Sequence, residues 1–206
     1  MSVQLPQIYL ASKSPRRHEI LHGLHIPFKY IESPYEEKIS DVENLVPEEK
    51  SAKLASLKAM YASHSLETGL IIGADTIVVD GSEILGKPKD RTDAKRMLRE
   101  LSGKKHRVIS GIALVDVEKQ KIFSHSEITY VYFRQLTDKD IETYLNTNEP
   151  YDKAGAYGIQ GHAALFVEKI EGCYFNVVGF PVVAFDKIMK EAGYDLIDFM
   201  KLEGKN

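Results

Sequence analysis

The sequence predicts a mixed α/β fold, in which an elongated mixed sheet is flanked by helices. Short apolar runs alternate with helix signals in the N-terminal third of the chain. Two long runs rich in β-branched residues, 107–117 and 121–134, favour antiparallel strands joined by a hairpin. Because parallel strands need crossover helices and hairpins do not, the combination indicates a mixed sheet and not a regular parallel one.

Local signals place the individual elements. Pro15 follows the potential N-cap Ser14, and Pro47 opens a second helix. Asp80-Gly81 predicts a hairpin turn, and Thr137 with Asp140 resembles a capping box. The predicted strands are residues 8–11, 28–32, 70–79, 84–85, 107–117, 121–134 and a pair within 165–178. The predicted helices are residues 15–24, 47–63, 92–103 with Thr92 as its cap, 137–146 and 181–192.

Composition restricts the class of protein. A chain of 206 residues suits a single domain over residues 1–206. A net charge of -3 argues against a nucleic-acid-coating protein, and no run reaches the ~18 apolar residues of a membrane span. The single cysteine, Cys173, excludes an internal disulfide, and no signal peptide is visible. We therefore expect a cytoplasmic protein without nucleic-acid or membrane partners.

The loop of residues 11–17 is the first candidate anion site. It joins a predicted strand to a helix N-terminus, where free backbone N–H groups favour anions. Ser12 adds a hydroxyl donor, and Arg16 and Arg17 add forked guanidinium groups suited to phosphate. The alternative is an ordinary solvated basic turn.

Asp75 is the second candidate, because it interrupts the apolar run of residues 70–79. A carboxylate inside a buried strand costs several kcal/mol unless it is paired or bound to a metal. A metal ligand or general base is therefore the functional interpretation. The alternative is a bulge aspartate bonded to backbone amides.

Weaker signals come from two lysines and one loop. Lys58 shares a helical face with apolar residues, where most lysines extend to water and a minority reach a charged pocket. Lys87 is equally compatible with a plain turn. The glycine-rich segment 152–161 permits close approach of a ligand, and its Gln160 offers both a donor and an acceptor for a base edge. A flexible connecting loop is the alternative.

His18-Glu19-Ile20-Leu21-His22 matches the H-E-x-x-H pattern of zinc proteases. The two histidines share a face, but they lie beside or away from the apolar stripe of a short helix. We expect both to face solvent, which makes a zinc endopeptidase the weakest of the alternatives.

Several segments together resemble the Maf family of septum formation inhibitor proteins. These segments are Leu10-Ala11-Ser12-Lys13-Ser14-Pro15-Arg16-Arg17, Gly73-Ala74-Asp75-Thr76, Gly86-Lys87-Pro88-Lys89-Asp90, Leu101-Ser102-Gly103 and residues 152–161. They follow in the family's order and cover nearly the whole chain, with Lys13 as a minor departure. The resemblance implies an inosine-triphosphatase-like fold with two lobes and a central groove, often a homodimer. It also implies a nucleoside triphosphate pyrophosphatase.

The resemblance further implies roles for individual residues. Asp75 would be the catalytic base, and Glu37 with Asp75 would hold a divalent metal ion, Mg²⁺ or Mn²⁺. Four residues would hold the triphosphate: Ser12, Arg17, Lys58 and Lys87. Three would match the subgroup that takes dTTP and UTP: Arg16, Thr76 and Gln160. The family's older name leaves open a second function, a non-catalytic nucleotide-binding regulator of cell division.

Overall fold

The computed structural model describes residues 5–201, and one mixed sheet runs through them. Its strands are β1 (Ile8–Leu10), β2 (Phe28–Tyr30), β3 (Leu70–Asp80), β4 (Glu83–Leu85), β5 (Lys105–Asp116), β6 (Lys121–Phe133) and β7 (Val167–Glu171). The α-helices are α1 (Pro15–Gly23), α2 (Pro47–Ser63), α3 (Arg91–Leu101), α4 (Asp138–Leu145), α5 (Tyr174–Val178) and α6 (Val182–Glu191). Short 3-10 helices lie at Ile39–Asp41, Pro150–Asp152, Ala154–Ala156, His162–Phe166 and Leu196–Phe199.

The sheet combines parallel and antiparallel pairing, so the predicted mixed α/β fold is confirmed. Its strand order is β2-β1-β3-β5-β6-β7, with β4 attached to β3. β1 pairs parallel with both β2 and β3. Each of the remaining pairs is antiparallel, including the long β5–β6 hairpin. No helix within residues 5–201 has the length and apolar character that membrane crossing requires.

One edge of β3 is only partly covered. β5 pairs with β3 from Leu70 to Val79 along the first edge. On the second edge, β1 pairs with residues 70–72 and β4 with residues 78–80. Residues 73–77 therefore form a gap in the pairing, and Asp75 and Thr76 lie within it. The fold thus presents a carboxylate and a hydroxyl where a strand would otherwise pair.

Two glycines let α2 lie directly on the sheet. A Cβ on Gly73 would stand 2.1 Å from the Ala55 carbonyl oxygen, and one on Gly111 would stand 2.1 Å from the Ser51 carbonyl oxygen. Gly111 is the β5 partner of Asp75. Because neither glycine has a side chain, the backbone of α2 packs directly on the sheet next to Asp75. This packing places Lys58 of α2 beside the Asp75 carboxylate.

Two large hydrophobic clusters pack against the sheet. The first includes Leu21 of α1 and Phe185 of α6, and the second includes Leu98 of α3 and Tyr144 of α4. Both clusters contribute residues to the wall of one cavity.

The predicted strand pair within residues 165–178 is wrong in its second half. Only Val167–Glu171 is a strand, and residues 174–178 form α5. The Asn176 side-chain amide donates to the Val108 carbonyl and the Thr129 hydroxyl, both at 3.0 Å. Gly179 then ends the helix at φ 116°, a left-handed conformation that glycine adopts without strain. These long-range bonds override the strand propensity of the aromatic and β-branched run.

Two predicted caps have different outcomes. The capping box of Thr137 and Asp140 is confirmed. The cap of α3 is Asp90 and not Thr92, because its carboxylate accepts a 2.8 Å hydrogen bond from the Asp93 amide. A carboxylate at the N-cap also complements the positive end of the helix dipole.

Candidate active site

A cavity of about 1000 Å³ opens at the gap in β3. Its wall is built by the loop before α1, one face of α2, the residues of β3 in and after the gap, and the glycine-rich segment after α4. All nine site residues predicted from the sequence line this one cavity: Ser12, Arg16, Arg17, Glu37, Lys58, Asp75, Thr76, Lys87 and Gln160. The fold therefore gathers residues that lie up to 148 positions apart in the chain (160 minus 12).

Lys58 stands between two carboxylates. Its Nζ lies 2.6 Å from Asp75 Oδ1 and 2.6 Å from Glu37 Oε1. The Asp75 side chain is 13% exposed, whereas that of Glu37 is 53% exposed. Two negative charges thus converge on one ammonium, and the trio retains a net negative charge. Such a point attracts further cations.

Asp75 does not behave as a bulge aspartate. β3 pairs with β5 in unbroken register through Asp75 and Gly111. Within residues 5–201, the Asp75 carboxylate has one side-chain hydrogen bond, from Lys58, and none from a main-chain amide. The interpretation of Asp75 as a bulge aspartate bonded to backbone amides is therefore wrong. Asp75 lines the cavity, and within residues 5–201 its second carboxylate oxygen has no hydrogen-bond donor.

Arg17 is half-buried, and its guanidinium is held by three acceptors. Its Nε donates to the Gly179 carbonyl at 2.8 Å, Nη1 to Ser12 Oγ at 2.9 Å and Nη2 to Thr76 Oγ1 at 3.2 Å. Burial lowers the pKa of Arg17 to about 10, although the negative charge of Asp75 opposes that shift. The guanidinium therefore remains a cation at neutral pH, in a fixed orientation.

The Thr76 hydroxyl belongs to a relay of hydrogen bonds behind Arg17. Ser110 Oγ donates its single proton to the Asn176 carbonyl at 3.0 Å. Thr76 therefore donates to Ser110 Oγ, 2.9 Å away, and accepts from Arg17. Ser110 and Gly179 were missed in the sequence, since no local pattern indicates a partner that comes from a distant strand or helix end.

The loop before α1 folds around Ser12. Ser14 occupies the N-cap position, but its side chain makes no capping bond. Its backbone amide instead donates to Ser12 Oγ at 3.3 Å, the same oxygen that accepts from Arg17. Ser12 thus connects the loop to the Arg17 guanidinium.

The histidines of the H-E-x-x-H pattern do not form a metal site. His18 is half-buried, with Nε2 2.7 Å from the Ser12 carbonyl oxygen and its ring edge-on to Phe28. The expectation that both histidines face solvent is therefore wrong for His18, because this hydrogen bond turns the ring toward the loop. His22 is exposed, as expected. Across the described part of the chain, no group of three or more His, Cys, Asp and Glu residues is placed to hold a metal ion.

Two lysines of the wall have no acidic partner among the residues that the structure describes. Lys87 is exposed at the cavity, and Lys50 of α2 is half-buried there. Among residues 5–201, no carboxylate oxygen lies within 4.0 Å of either ammonium. Lys50 was missed, although its spacing of eight residues from Lys58 puts both lysines on one helical face.

The segment 152–161 carries Gln160 at the cavity wall, and hydrogen bonds to Glu149 anchor it. Arg16 Nη1 lies 3.5 Å from Asp152 Oδ2 at the start of this segment. Glu149 accepts hydrogen bonds from the His162 amide at 3.0 Å, from His162 Nδ1 at 2.9 Å and from the Tyr144 hydroxyl at 3.2 Å. Burial opposes ionisation of Glu149, but these hydrogen bonds outweigh it and lower the pKa of the carboxyl group.

Glycine is required at position 161, where the segment passes close to the Glu149 carboxylate. A Cβ on Gly161 would stand 2.1 Å from Glu149 Oε1. The Gly158 amide donates to the Tyr144 hydroxyl at 3.2 Å, so Tyr144 holds Gly158 before the Ile159-Gln160 pair and Glu149 holds His162 after it. Gln160 itself is exposed at the cavity.

Comparison with known proteins agrees with this arrangement. The family model described as Maf-like protein matches residues 7–192. A protein of Alkaliphilus oremlandii (strain OhILAs) named dTTP/UTP pyrophosphatase is 50% identical over 187 residues, which cover 90% of this chain and 96% of that protein. A protein of the same name from Carboxydothermus hydrogenoformans is 46% identical over 188 residues, or 91% of this chain and 100% of the relative. Because the family model matches residues 7–192, which are most of the sequence, the chain belongs to the family of Maf-like proteins.

Proposed function

We propose that this protein is a nucleoside triphosphate pyrophosphatase that hydrolyses dTTP and UTP to the monophosphate and pyrophosphate. The main supporting observation is Asp75, a nearly buried carboxylate at the gap in β3, which bonds to Lys58 through one oxygen and lines a cavity that Arg16, Arg17 and Lys87 line as well. The names of the bacterial relatives support the same activity and the same pair of nucleotides.

The reaction follows from the residues of the wall. The Asp75 carboxylate orients a water molecule and accepts its proton as the oxygen bonds to the α-phosphorus. The bond from that phosphorus to the bridging oxygen breaks, and pyrophosphate leaves. Ser12, Arg17, Lys58 and Lys87 bind the phosphate oxygens. The hydroxyl of Ser12 donates a hydrogen bond, and the positive charges of the other three stabilise the negative charge of the transition state. Thr76 acts through Arg17, since its hydroxyl already accepts from that guanidinium.

The donor set fits a divalent cation shared with substrate. Glu37 and Asp75 both offer oxygen, the ligand that Mg²⁺ and Mn²⁺ prefer. Both aim at the point that the Lys58 ammonium occupies. Two carboxylates are enough when substrate phosphates and water complete the coordination, as is usual for Mg²⁺. When bound, the ion would polarise phosphate oxygens and neutralise their charge.

Discrimination between bases would depend on two other side chains of the wall, Gln160 and Arg16. Gln160 presents an amide, whose donor and acceptor match the imide edge of uracil or thymine. Arg16, tied to Asp152, is the second side chain that we assign to the base.

The decisive experiment combines a nucleotide screen with isotope labelling. Purified protein is incubated with each nucleoside triphosphate and Mg²⁺ or Mn²⁺ in ¹⁸O-water. We expect pyrophosphate from UTP and dTTP, with ¹⁸O in the monophosphate, because water attacks the α-phosphorus. Asp75→Asn, which keeps the shape and removes the base, should lower kcat at least ~100-fold. Asp186→Asn on α6 is the matched control, since that carboxylate pairs with Lys190 away from the cavity wall.

Other outcomes separate the alternatives. Label in pyrophosphate would place the attack on a different phosphorus and contradict the mechanism. Binding of UTP without release of pyrophosphate from any nucleotide would instead favour a non-catalytic regulator. The homodimer and the cytoplasmic location expected from the sequence remain predictions, which sedimentation and localisation of the tagged protein can test.

A further inference from the structure

Lys50 is a cation of the cavity wall to which the proposed function gives no role. It belongs to the first turns of α2, is half-buried and lines the same cavity as Asp75. Its ammonium has no carboxylate within 4.0 Å in the part of the chain that the structure describes. A partly desolvated ammonium without a counter-charge is unfavourable in the empty protein and is stabilised by an anionic ligand.

The spacing along α2 places Lys50 on the catalytic face. Lys50, Leu54 and Lys58 follow one another at intervals of four residues, and all three line the cavity. Residues at this spacing lie above one another on a helix, about 12 Å apart over eight positions. Lys53, between them in the chain, is exposed and absent from the wall. The helix therefore presents one lysine to water and two to the cavity.

The two wall lysines of α2 differ in net charge environment. Lys58 is shared between Asp75 and Glu37, so its positive charge is already more than compensated. Two acidic residues share the first turn of α2 with Lys50: Glu48 is bonded to Arg107 Nη1 at 2.7 Å, and Glu49 is exposed. Within the described residues, the positive charge of Lys50 is therefore not neutralised by an ion pair, so it is available to bind an anionic ligand.

The contacts of α2 fix the direction in which Lys50 lies. Ser51 lies over Gly111, the partner of Asp75, and Glu48 reaches Arg107, the partner of Val79. Lys50, between them, is on the Ile77–Val79 side of Asp75. Lys87 is on that side too, because it follows β4, whose Leu85 pairs with Val78.

We propose that Lys50 binds the pyrophosphate portion of the nucleoside triphosphate, together with Lys87. This inference rests on the proposed function and assigns the β- and γ-phosphates to the end of the cavity beyond Asp75. Two ammonium groups that have no acidic partner within residues 5–201 suit the non-bridging oxygens of two phosphates, since each ammonium offers three donors and a compact charge. They also stabilise the charge that collects on the leaving group as its bond to the α-phosphorus breaks.

The test compares two product inhibitors on matched variants. Inhibition constants of pyrophosphate and of UMP are measured for the wild-type enzyme, Lys50→Ala, Lys50→Arg and Lys53→Ala. We expect Lys50→Ala to raise the pyrophosphate constant and the KM for UTP roughly tenfold, the loss of one charge-assisted contact at a half-exposed position. The UMP constant should stay within about twofold, and Lys50→Arg should restore most of the loss. Lys53→Ala removes the same charge from the same helix outside the cavity and should change none of these values.

Two results would overturn the proposal: a pyrophosphate constant unchanged in Lys50→Ala, or an equal loss for UMP and pyrophosphate. Calorimetric titration of pyrophosphate into each variant gives the same comparison without turnover. An enzyme that released no pyrophosphate from any nucleotide would refute the proposed function, whereas this titration would still decide whether Lys50 binds pyrophosphate.

Discussion

Lys58 Nζ and Asp75 Oδ1 lie 2.6 Å apart, one on a helix and the other at the unpaired edge of a strand. Their side chains are 21% and 13% exposed, so water screens the pair only weakly. Each group therefore depends on the other, because removing one leaves a charge in a poorly hydrated position.

The first prediction concerns this dependence. Lys58→Met should lower the free energy of unfolding by about 1–3 kcal/mol, because it leaves Asp75 without its partner. In an Asp75→Asn background the same substitution should cost roughly 1 kcal/mol less, since no charge is then stranded. Denaturant unfolding of the four proteins measures this coupling. Lys53→Met is the surface control, and additive effects of the two main substitutions would refute the coupling.

The close approach of α2 to the sheet gives a second prediction. Gly111→Ala places a Cβ 2.1 Å from the Ser51 carbonyl oxygen, so the helix must move away from β5. We expect a loss of at least about 3 kcal/mol in stability, together with a fall in kcat as Lys58 moves relative to Asp75.

Gly23→Ala is the control for that substitution, because a Cβ there meets nothing within 4 Å. Its stability should be unchanged or slightly raised. An ordinary substitution changes the free energy of unfolding by ~1 kcal/mol. If Gly111→Ala lowered it by no more than this, the contact between α2 and β5 would relax easily and the prediction would be wrong.

A third prediction concerns Glu149, which anchors the segment carrying Gln160. Glu149→Ala removes the acceptor for His162 and Tyr144, so the preference for UTP over CTP should fall roughly tenfold, the equivalent of one ordinary hydrogen-bonding contact. Glu149→Gln keeps an acceptor oxygen and should retain most of the preference. The ratio of kcat/KM for the two nucleotides is the measurement.

Two comparisons guard against a general loss of structure. Methyl triphosphate has no base, so its hydrolysis by Glu149→Ala should match that by the wild-type enzyme. Glu168→Ala, an exposed position in β7, should leave the preference intact. An unaltered preference in Glu149→Ala would disprove the anchoring role.

The fourth prediction is a pH dependence of stability that arises from His106. This side chain is buried, with Nε2 2.8 Å from the Tyr157 hydroxyl and, within residues 5–201, no partner at Nδ1. Burial lowers the pKa of His106 to about 4. Because the unfolded chain takes up this proton near pH 6.5 and the folded chain does not, stability falls as pH drops from about 6.5 to about 4.

Denaturant unfolding at pH 7.5 and pH 5 tests this effect. The His106 contribution should amount to roughly 2 kcal/mol between these two values. His106→Gln keeps a polar partner for Tyr157 and cannot titrate, so its stability should differ less between the two pH values. An identical pH dependence in both proteins would assign the effect to other groups.

The sequence predicted those features that depend on nearby residues. The apolar run around Asp75 indicated a strand with a costly carboxylate, and the serines and arginines before α1 indicated an anion site. The same local reasoning failed for residues 174–178, where Asn176 reaches distant strands. It also could not identify Ser110 as the acceptor behind Thr76, because that relation exists only once β3 and β5 have paired.

Lys58 shows the same division. Its position on an amphipathic face left two interpretations open, solvent or a charged pocket. Lys58 reaches the charged pocket because Gly73 and Gly111 let α2 pack closely on the sheet. Neither glycine carries a local signal for a helix that packs on it.

Arg17 and the Gly179 carbonyl are joined across 162 positions of the chain. During synthesis, therefore, the Arg17 guanidinium lacks this acceptor until the 162 positions between the two residues have been added. Chains that end before Gly179 lack one of the three acceptors that hold the Arg17 guanidinium. Closure of so long a loop is also a late event in folding. Forms of the protein that end before Gly179 would consequently lack a fixed Arg17 guanidinium in the cavity wall and should not hydrolyse nucleotides.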